Sequence, residues 1–154
     1  MTGGVTVRVC GEDERDVAAL LVLRRAWNEE EAGGPIDDPR FEDRWTAWWR
    51  DERSTRTFFV ASVDGVDVGM ANVKRYTRMP VVGRESAGWW GYVGNVFVRP
   101  EHRNGGVGAA LMDELLRWAR EHGYERLRLA PSERAKPFYA RLGYVPGAVI
   151  QLDP

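Results

Sequence analysis

A short apolar strand, a glycine-rich turn and an amphipathic helix follow one another between Val93 and Met112, in the sequence VGNVFVRPEHRNGGVGAALM. The first turn of a helix leaves backbone N–H groups without partners and carries the positive end of the helix dipole. Glycines such as those in Gly105–Gly108 let the backbone come close to an anion, and Arg103 adds charged hydrogen-bond donors beside them. The segment therefore predicts a strand–turn–helix unit whose turn suits a pyrophosphate.

Two better-known phosphate motifs do not fit this turn. A P-loop requires a lysine directly after its last glycine, and none follows here. A dinucleotide fingerprint requires three glycines; Gly106 and Gly108 supply two of them, while Leu111 occupies the third position. A turn that only connects the strand to the helix remains the alternative at this point.

Hydrophobic periodicity divides the chain into helices and strands of ordinary length. The predicted helices cover about Asp13–Trp27, a segment that starts at Asp38-Pro39, Val107–His122 and about Ala135–Leu142. The predicted strands cover Thr57–Val63, Val66–Tyr76, Trp89–Val98, Arg126–Ala130 and Tyr144–Leu152. With one further strand before the first helix, the order is β-α-α-β-β-β-α-β-α-β. This order indicates an α/β fold with a mixed sheet and helices on both faces. The 154 residues are expected to form one domain, residues 1–154.

Two motifs resemble the landmarks of the GNAT N-acyltransferases. Residues 103–108, RNGGVG, match that family's R-x-x-G-x-G/A signature, and Val96–His102 looks like its fourth strand and the following turn. Pro137–Tyr144, PFYARLGY, is similar to the second landmark, an aromatic pair followed by glycine and another aromatic residue. The resemblance covers roughly Ser62–Val145, and it implies the GNAT fold, in which the central sheet is splayed.

The resemblance also implies where acetyl-CoA binds. The turn would hold its pyrophosphate through Arg103, Asn104, Gly105, Gly106, Val107, Gly108 and Ala109. The backbone of the strand residues Val96, Phe97 and Val98 would pair with the pantetheine arm as an added strand does. Ser132 matches a position that often contacts the cofactor, and Tyr139 matches the general acid that protonates the departing CoA thiolate.

The fourth strand lacks the glutamate that many members of this family use as a general base. No carboxylate occurs between Glu85 and Glu101. Asn95 is the candidate catalytic residue on that strand; it could polarise a water or position the acceptor, but it cannot take a proton. Glu85, in the preceding loop, is a second candidate, and direct attack by an amine that arrives deprotonated is the alternative.

An acidic stretch precedes the first predicted hairpin. Its seven carboxylates are Glu29, Glu30, Glu31, Asp37, Asp38, Glu42 and Asp43. In GNAT proteins this region commonly borders the acceptor site, so the carboxylates would favour a cationic amine. A solvated acidic face is the alternative. The aromatic stripe of the second helix, Phe41, Trp45, Trp48 and Trp49, is interpreted as core.

The predicted function is that of an acyl-CoA-dependent N-acyltransferase, which moves acetyl from acetyl-CoA to a primary amine by direct attack in a ternary complex. The acceptor would be a small-molecule or peptide amine, and a homodimer is compatible with the sequence. The alternative is a GNAT-fold sensor or interaction module that binds acyl-CoA without catalysis.

Composition argues against several other classes. The net charge of −1 and the lack of a basic patch disfavour nucleic acid. The longest apolar run, Val17–Leu23, is too short to span a membrane, and no apolar signal segment opens the chain. The single cysteine, Cys10, fits a reducing compartment, so a cytoplasmic location is expected. His102 and His122 show no metal-ligand spacing, and no metal is expected.

Overall fold

The structure is a computed structural model that describes residues 4–145. Its strands are β1 (Val5–Val9), β2 (Arg56–Val63), β3 (Val66–Thr77), β4 (Trp89–Val98) and β5 (Tyr124–Arg128). Its helices are α1 (Glu14–Ala32), α2 (Phe41–Glu52), α3 (Val107–Glu121) and α4 (Lys136–Arg141), with 3-10 turns at Pro100–His102 and Glu133–Ala135. The predicted order of elements is confirmed as far as α4. From residue 146 onward, the predicted last strand, Tyr144–Leu152, lies outside the described residues.

The five strands form one mixed sheet in the order β1-β2-β3-β4-β5. The first four strands are antiparallel to their neighbours, and β5 runs parallel to β4. The Asp64-Gly65 turn joins β2 to β3 with positive φ at both residues, as a tight hairpin requires. The mixed sheet predicted from the element order is therefore confirmed.

Helices cover both faces of the sheet because the central strands alternate two sets of apolar residues. Phe59 and Ala61 of β2 face a core that they share with the apolar stripe of α3, which includes Leu111 and Leu115. Phe58 and Val60, one residue out of phase, face a second core built with α1 and α2. The second core contains Leu20, Leu23, Trp45, Trp49, Met70 and Phe97. The two layers of helices leave β4 between the two cores.

The ends of α1 and α2 differ from the predicted bounds for local reasons. Asp13 caps α1 as predicted, since its carboxylate accepts from the N–H of Asp16 at 2.8 Å. α1 continues past Trp27 to Ala32. The sequence pattern did not predict this last part of the helix because its residues are mostly polar and add no apolar periodicity. α2 starts at Phe41 rather than at Pro39, because Asp38 accepts from the N–H of Arg40 at 3.1 Å and forms a turn before the helix.

The fifth strand starts earlier than predicted. It covers Tyr124–Arg128 rather than Arg126–Ala130, and it follows α3 after the single glycine Gly123. The ring of Tyr124 packs on that of Trp118, with 5.3 Å between the centroids. This contact with α3 fixes the start of the strand, and the local alternation of residues does not reveal it.

Candidate active site

Within residues 4–145, the edge of β4 that faces away from β3 has no paired strand along the half that leads into the glycine-rich turn; this stretch is the open edge of β4. β5 pairs with β4 only as far as Tyr92, whereas β3 pairs with β4 as far as Val98. The N–H of Arg99 donates to the carbonyl of Val68, on the β3 side, at 2.8 Å. Alternation along the strand therefore directs the peptide groups of Val98 to the opposite, open side. The second half of β4 is thus a place where an extended ligand can pair with the sheet.

The glycine-rich turn lies directly beyond this open edge. The chain passes through the 3-10 turn, takes positive φ at Asn104 (+64°) and Gly106 (+86°), and enters α3. The N–H of Ala110 makes the first hydrogen bond of the helix, to the carbonyl of Gly106, at 3.0 Å. The N–H groups of Val107–Ala109 precede that bond and have no acceptor within the helix. The turn therefore presents backbone donors and the positive end of α3 at the end of the open edge.

The two glycines of the signature serve different purposes. Gly106 has a positive φ, and a Cβ added there would meet no atom within 4 Å. A Cβ added at Gly108 would lie 3.2 Å from Cζ of Phe138. Gly108 therefore lets α4, which carries Tyr139, pack against the start of α3.

The side chain of Arg103 is engaged by protein groups. Its Nε donates to the carbonyl of Val98 at 2.9 Å, and its Nη1 and Nη2 donate to the two carboxylate oxygens of Glu30, each at 2.7 Å. These hydrogen bonds hold the pKa of Glu30 below its usual range. The N–H of Arg103 donates to the carbonyl of Pro100 at 3.2 Å. Arg103 thus connects the turn to α1 and to β4, and contact of its side chain with a pyrophosphate stays a prediction.

A β-bulge gives Asn95 an unusual position in β4. The register between β3 and β4 shifts beside it, and Asn95 takes φ +52°. Its Oδ1 accepts from Nδ2 of Asn72 at 2.9 Å, and Oδ1 of Asn72 accepts from Nη1 of Arg56 at 2.7 Å. Asn72 is buried, with 3% of its surface exposed. The bulge and this buried chain of hydrogen bonds fix the Asn95 amide at the point where the strand bends.

A cavity of about 290 Å³ lies next to Asn95, between the sheet and the helices α1 and α2. Its lining residues are Leu20, Arg24, Trp45, Trp48, Phe58, Met70, Ala71, Asn72 and Asn95. Trp45 and Trp49 are buried, as the core interpretation of the aromatic stripe requires, but Trp48 is 37% exposed and lines the cavity. The cavity is mostly apolar with a few polar groups, which is typical of a small-molecule site.

Tyr139 is buried in α4, and its ring lies between those of Phe138 and Tyr144, with centroid distances of 5.0 and 5.7 Å. Burial raises the pKa of the Tyr139 phenol, which keeps the group protonated as a general acid must be. Ser132 is exposed and caps a 3-10 turn by accepting from the N–H of Ala135 at 3.3 Å. Contact of Tyr139 or Ser132 with CoA stays a prediction.

The seven carboxylates of the acidic stretch do not line the cavity beside Asn95. Three of them pair with arginines: Glu29 with Arg25, Glu30 with Arg103 and Asp38 with Arg44. A second cavity, of about 490 Å³, includes Glu31 and Asp38, but also Arg25 and Arg44, so it carries no excess of negative charge. The seven carboxylates are therefore not part of the wall of the cavity beside Asn95, and the expectation that they border the acceptor cleft stays a prediction.

Three residues of this site were not singled out from the sequence: Arg24, Arg56 and Asn72. Arg24 follows Leu20 by four residues and precedes Trp27 by three, so it interrupts the apolar stripe of α1. Asn72 lies in the middle of an apolar strand. A charged or amide side chain at a position that faces the core is costly unless it has a partner, and this feature of the sequence could have identified Arg24 and Asn72 as site residues.

The remaining chemical candidates lie elsewhere. Glu85 is exposed in the loop between β3 and β4 and lines neither cavity. The ring of His122 stacks on Trp118, with 4.4 Å between the centroids. Within residues 4–145, no group of three or more His, Cys, Asp or Glu side chains could hold a metal ion. No helix in that same part of the chain is long and apolar enough to cross a membrane.

Comparison with known proteins identifies the family of this chain. A family model described as "Acetyltransferase (GNAT) family" matches residues 20–144. The chain belongs to that family, and the resemblance drawn from its two motifs is confirmed.

Individual proteins with similar sequences or structures agree with this family assignment. An uncharacterized N-acetyltransferase of Methanocaldococcus jannaschii is 28% identical over 114 residues, which make up 70% of this chain and 49% of that protein. The chain therefore spans about half the length of this relative. The crystal structure of a Trypanosoma brucei acetyltransferase superposes with a TM-score of 0.70 at 25% identity, over 98% of this chain and 100% of the other. The fold is also that of a predicted acetyltransferase of Clostridium acetobutylicum, solved with acetyl-CoA, which superposes with a TM-score of 0.73 at 18% identity, over 97% of this chain and 96% of the other.

Proposed function

We propose that this protein transfers an acetyl group from acetyl-CoA to a primary amine. The observation that carries the proposal is the open edge of β4 beside the start of α3. An extended pantetheine arm would pair with Val96–Val98, and the pyrophosphate would bind to the backbone donors of residues 104–109. The Clostridium relative was solved with acetyl-CoA, which supports acetyl as the acyl group.

The cavity beside Asn95 is the proposed acceptor site. It lies next to the bulge of β4, where the open edge begins, so an amine held there would be close to a thioester bound along Val96–Val98. Holding both reactants in one orientation is the main source of acceleration in such a ternary complex. Asn95 would position the acceptor rather than accept its proton.

Direct attack on the thioester carbonyl is the proposed chemistry, because no covalent nucleophile fits. The thiol of Cys10, between β1 and α1, is partly buried, and burial raises its pKa to about 12. The amine nitrogen would form the new C–N bond and lose one N–H proton to water. The C–S bond would break, and Tyr139 would give its phenolic proton to the departing thiolate and regain a proton from water. Backbone N–H groups at the open edge would polarise the thioester carbonyl.

The proposed reaction uses no carboxylate base. No carboxylate lines the cavity beside Asn95. Glu52, which reaches Asn72 through Arg56, is held by Lys74 at 2.9 Å, and this hydrogen bond lowers its pKa. A carboxylate with a lowered pKa is a weak base, so the acceptor would lose its proton to water before it attacks.

Two measurements test this function. Calorimetry with acetyl-CoA measures binding, and release of CoA thiol in the presence of a panel of amines measures transfer. We expect both. The lack of a carboxylate on β4 favours one alternative, an acyl-CoA sensor that does not catalyse, and binding without CoA release for any amine would support it. Failure to bind acetyl-CoA would refute both functions. A homodimer, a cytoplasmic location and a single domain over residues 1–154 stay predictions from the sequence.

A further inference from the structure

The walls of the cavity beside Asn95 determine what kind of acceptor body it can hold. Two tryptophans of α2 and one phenylalanine of β2 form a connected cluster of rings. The centroids of Trp45 and Trp48 are 6.1 Å apart, and those of Trp48 and Phe58 are 6.0 Å apart. With a volume of about 290 Å³, the cavity is at the small end of ligand sites. These walls suit a small apolar or aromatic group.

The hydrogen-bond chain behind the cavity fixes which way its amides are turned. Arg56 can only donate, so the atom of Asn72 that meets it at 2.7 Å must be the oxygen. Asn72 then donates through Nδ2, and the atom of Asn95 that meets it at 2.9 Å must also be the oxygen. The group that Asn95 has left for a ligand is therefore its NH₂, which donates. A substrate group that accepts a hydrogen bond would therefore match this part of the cavity.

Arg24 adds a positive charge that no carboxylate among residues 4–145 pairs with. It lines the cavity from α1, and its guanidinium lies 4.7 Å from the centre of the Trp27 ring. It takes part in none of the ion pairs within 4.0 Å that the structure describes. Its neighbour Arg25, in contrast, pairs with Glu29. An uncompensated guanidinium in an apolar wall attracts an anion more strongly than one in water does.

Other classes of amine fit these walls less well. Aromatic rings attract cations, but Arg56 already lies over Trp48, at 5.3 Å, and the charge of Arg24 would repel a polyamine. Sugar hydroxyls need acceptors as well as donors, whereas the amide oxygens of Asn72 and Asn95 each already accept one hydrogen bond and no carboxylate lines the cavity. A buried hydroxyl without a partner is costly.

We infer that the acceptor is a small amine that carries a carboxylate together with an apolar or aromatic body. Its carboxylate meets Arg24 and the NH₂ of Asn95, its body packs on the ring cluster of α2 and β2, and its amine faces the bulge of β4. This inference rests on the proposed function, since it names the substrate class for the same site.

The test compares phenylalanine with phenylalanine amide and phenethylamine, which keep the ring and the amine but lose the negative charge. Spermidine represents cationic acceptors, and glucosamine 6-phosphate represents anionic sugars. CoA release is measured with saturating acetyl-CoA, and kcat/KM is expressed per unprotonated amine, because the amines differ in pKa. We expect phenylalanine to exceed phenethylamine by at least about tenfold, as a charged hydrogen bond typically provides.

Variants of one helix assign the preference to Arg24. Arg24→Gln should lower kcat/KM for phenylalanine by at least about tenfold more than it lowers kcat/KM for phenethylamine. Arg24→Lys, which keeps the charge, should retain part of the preference. Arg15→Gln makes the same change at an exposed position of α1 outside the cavity and should alter neither value. Thermal unfolding shows whether each variant is folded.

The outcomes separate the substrate class from the function. If phenethylamine or spermidine is the better acceptor, or if Arg24→Gln leaves the preference intact, the carboxylate class is wrong while the acetyltransferase function stands. A preference for glucosamine 6-phosphate would keep the anion but reject the apolar body. If acetyl-CoA binds and no amine of the panel is acetylated, the class is rejected. If acetyl-CoA does not bind, both proposals fail.

Discussion

Replacement of Gly106 by alanine is the most direct test of the turn. Gly106 has φ +86°, and a Cβ there would meet no protein atom within 4 Å. The substitution therefore creates no clash in the free protein, and its cost in folding free energy is the left-handed backbone conformation alone, about 1–2 kcal/mol. If a pyrophosphate binds to this backbone, the added methyl group or a shifted φ should also weaken acetyl-CoA binding by at least about tenfold, which is about 1.4 kcal/mol.

Gly83 offers a matched control for that substitution. It has φ +85°, a Cβ there would also meet nothing within 4 Å, and it lies in the loop that precedes β4, at the other end of the strand from the turn. Gly83→Ala should therefore lose about as much stability as Gly106→Ala without any loss of acetyl-CoA affinity. Gly106→Asn separates two causes, because asparagine adopts positive φ more readily than alanine but has a larger side chain. A loss caused by conformation should shrink in Gly106→Asn, and a loss caused by blocking should grow.

Calorimetry with acetyl-CoA and thermal unfolding together decide the question. Unchanged affinity in a folded Gly106→Ala variant would show that the pyrophosphate does not bind at this turn. An equal loss of affinity in Gly83→Ala would show that the effect reports general destabilisation rather than contact with the ligand.

Three further predictions concern the acid, the missing base and the Arg103 pair. Tyr139→Phe should lower kcat by about 10²–10⁴-fold with little change in the KM for acetyl-CoA; a loss below about threefold would make Tyr139 a packing residue. The rate should rise with pH up to the pKa of the acceptor amine, because no base lines the cavity, and should fall only above about pH 10, where an acid whose pKa burial raises begins to ionise. A plateau reached well below the amine's pKa would reveal a hidden base, and in Tyr139→Phe the fall at high pH should vanish. Glu30→Gln removes a pair whose side chains are 29% and 32% exposed, so it should cost at most about 1 kcal/mol. Because the pKa of Glu30 is lowered in the fold, the difference in unfolding free energy between the wild type and Glu30→Gln should be present above about pH 4.3. Urea titrations should show that this difference disappears as the pH falls below that value. The affinity for acetyl-CoA should change by less than about threefold, in line with backbone binding, and a larger change would place the Arg103 side chain in the ligand site.

The parts of the fold that depend on neighbouring residues could be predicted from the sequence. The strand–turn–helix unit at residues 93–112, the Asp13 cap and the hairpin at Asp64-Gly65 all follow from local spacing and turn chemistry. The order of the elements followed from the same signals. The predicted bounds were wrong at the end of α1, where a polar turn extends the helix, and at the start of β5, where contact between Tyr124 and Trp118 sets the first residue of the strand.

The chemistry of the site depends on pairs that are distant in sequence, and local patterns do not contain them. Arg103 and Glu30 are 73 residues apart, and Asn72 and Asn95 are 23 apart. An acidic stretch has the same composition whether its carboxylates face a ligand or an arginine of another element, so its electrostatic role could not be assigned. The family resemblance predicted a cofactor site but not the acceptor, because the cavity walls come from five separate elements.

The unpaired half of β4 has a consequence for the behaviour of the free protein. A row of unused peptide groups can accept another extended chain as readily as a ligand, which makes it a point of entry for strand-to-strand aggregation. Arg103 shields one of those groups by donating to the carbonyl of Val98, and β5 shields the half of the strand that precedes Val93. Occupation of the remaining stretch by any specific ligand stabilises the folded state by mass action, by about 2.7 kcal/mol at a ligand concentration one hundred times Kd. If acetyl-CoA binds there as proposed, its addition should raise the unfolding temperature of the protein and slow its aggregation.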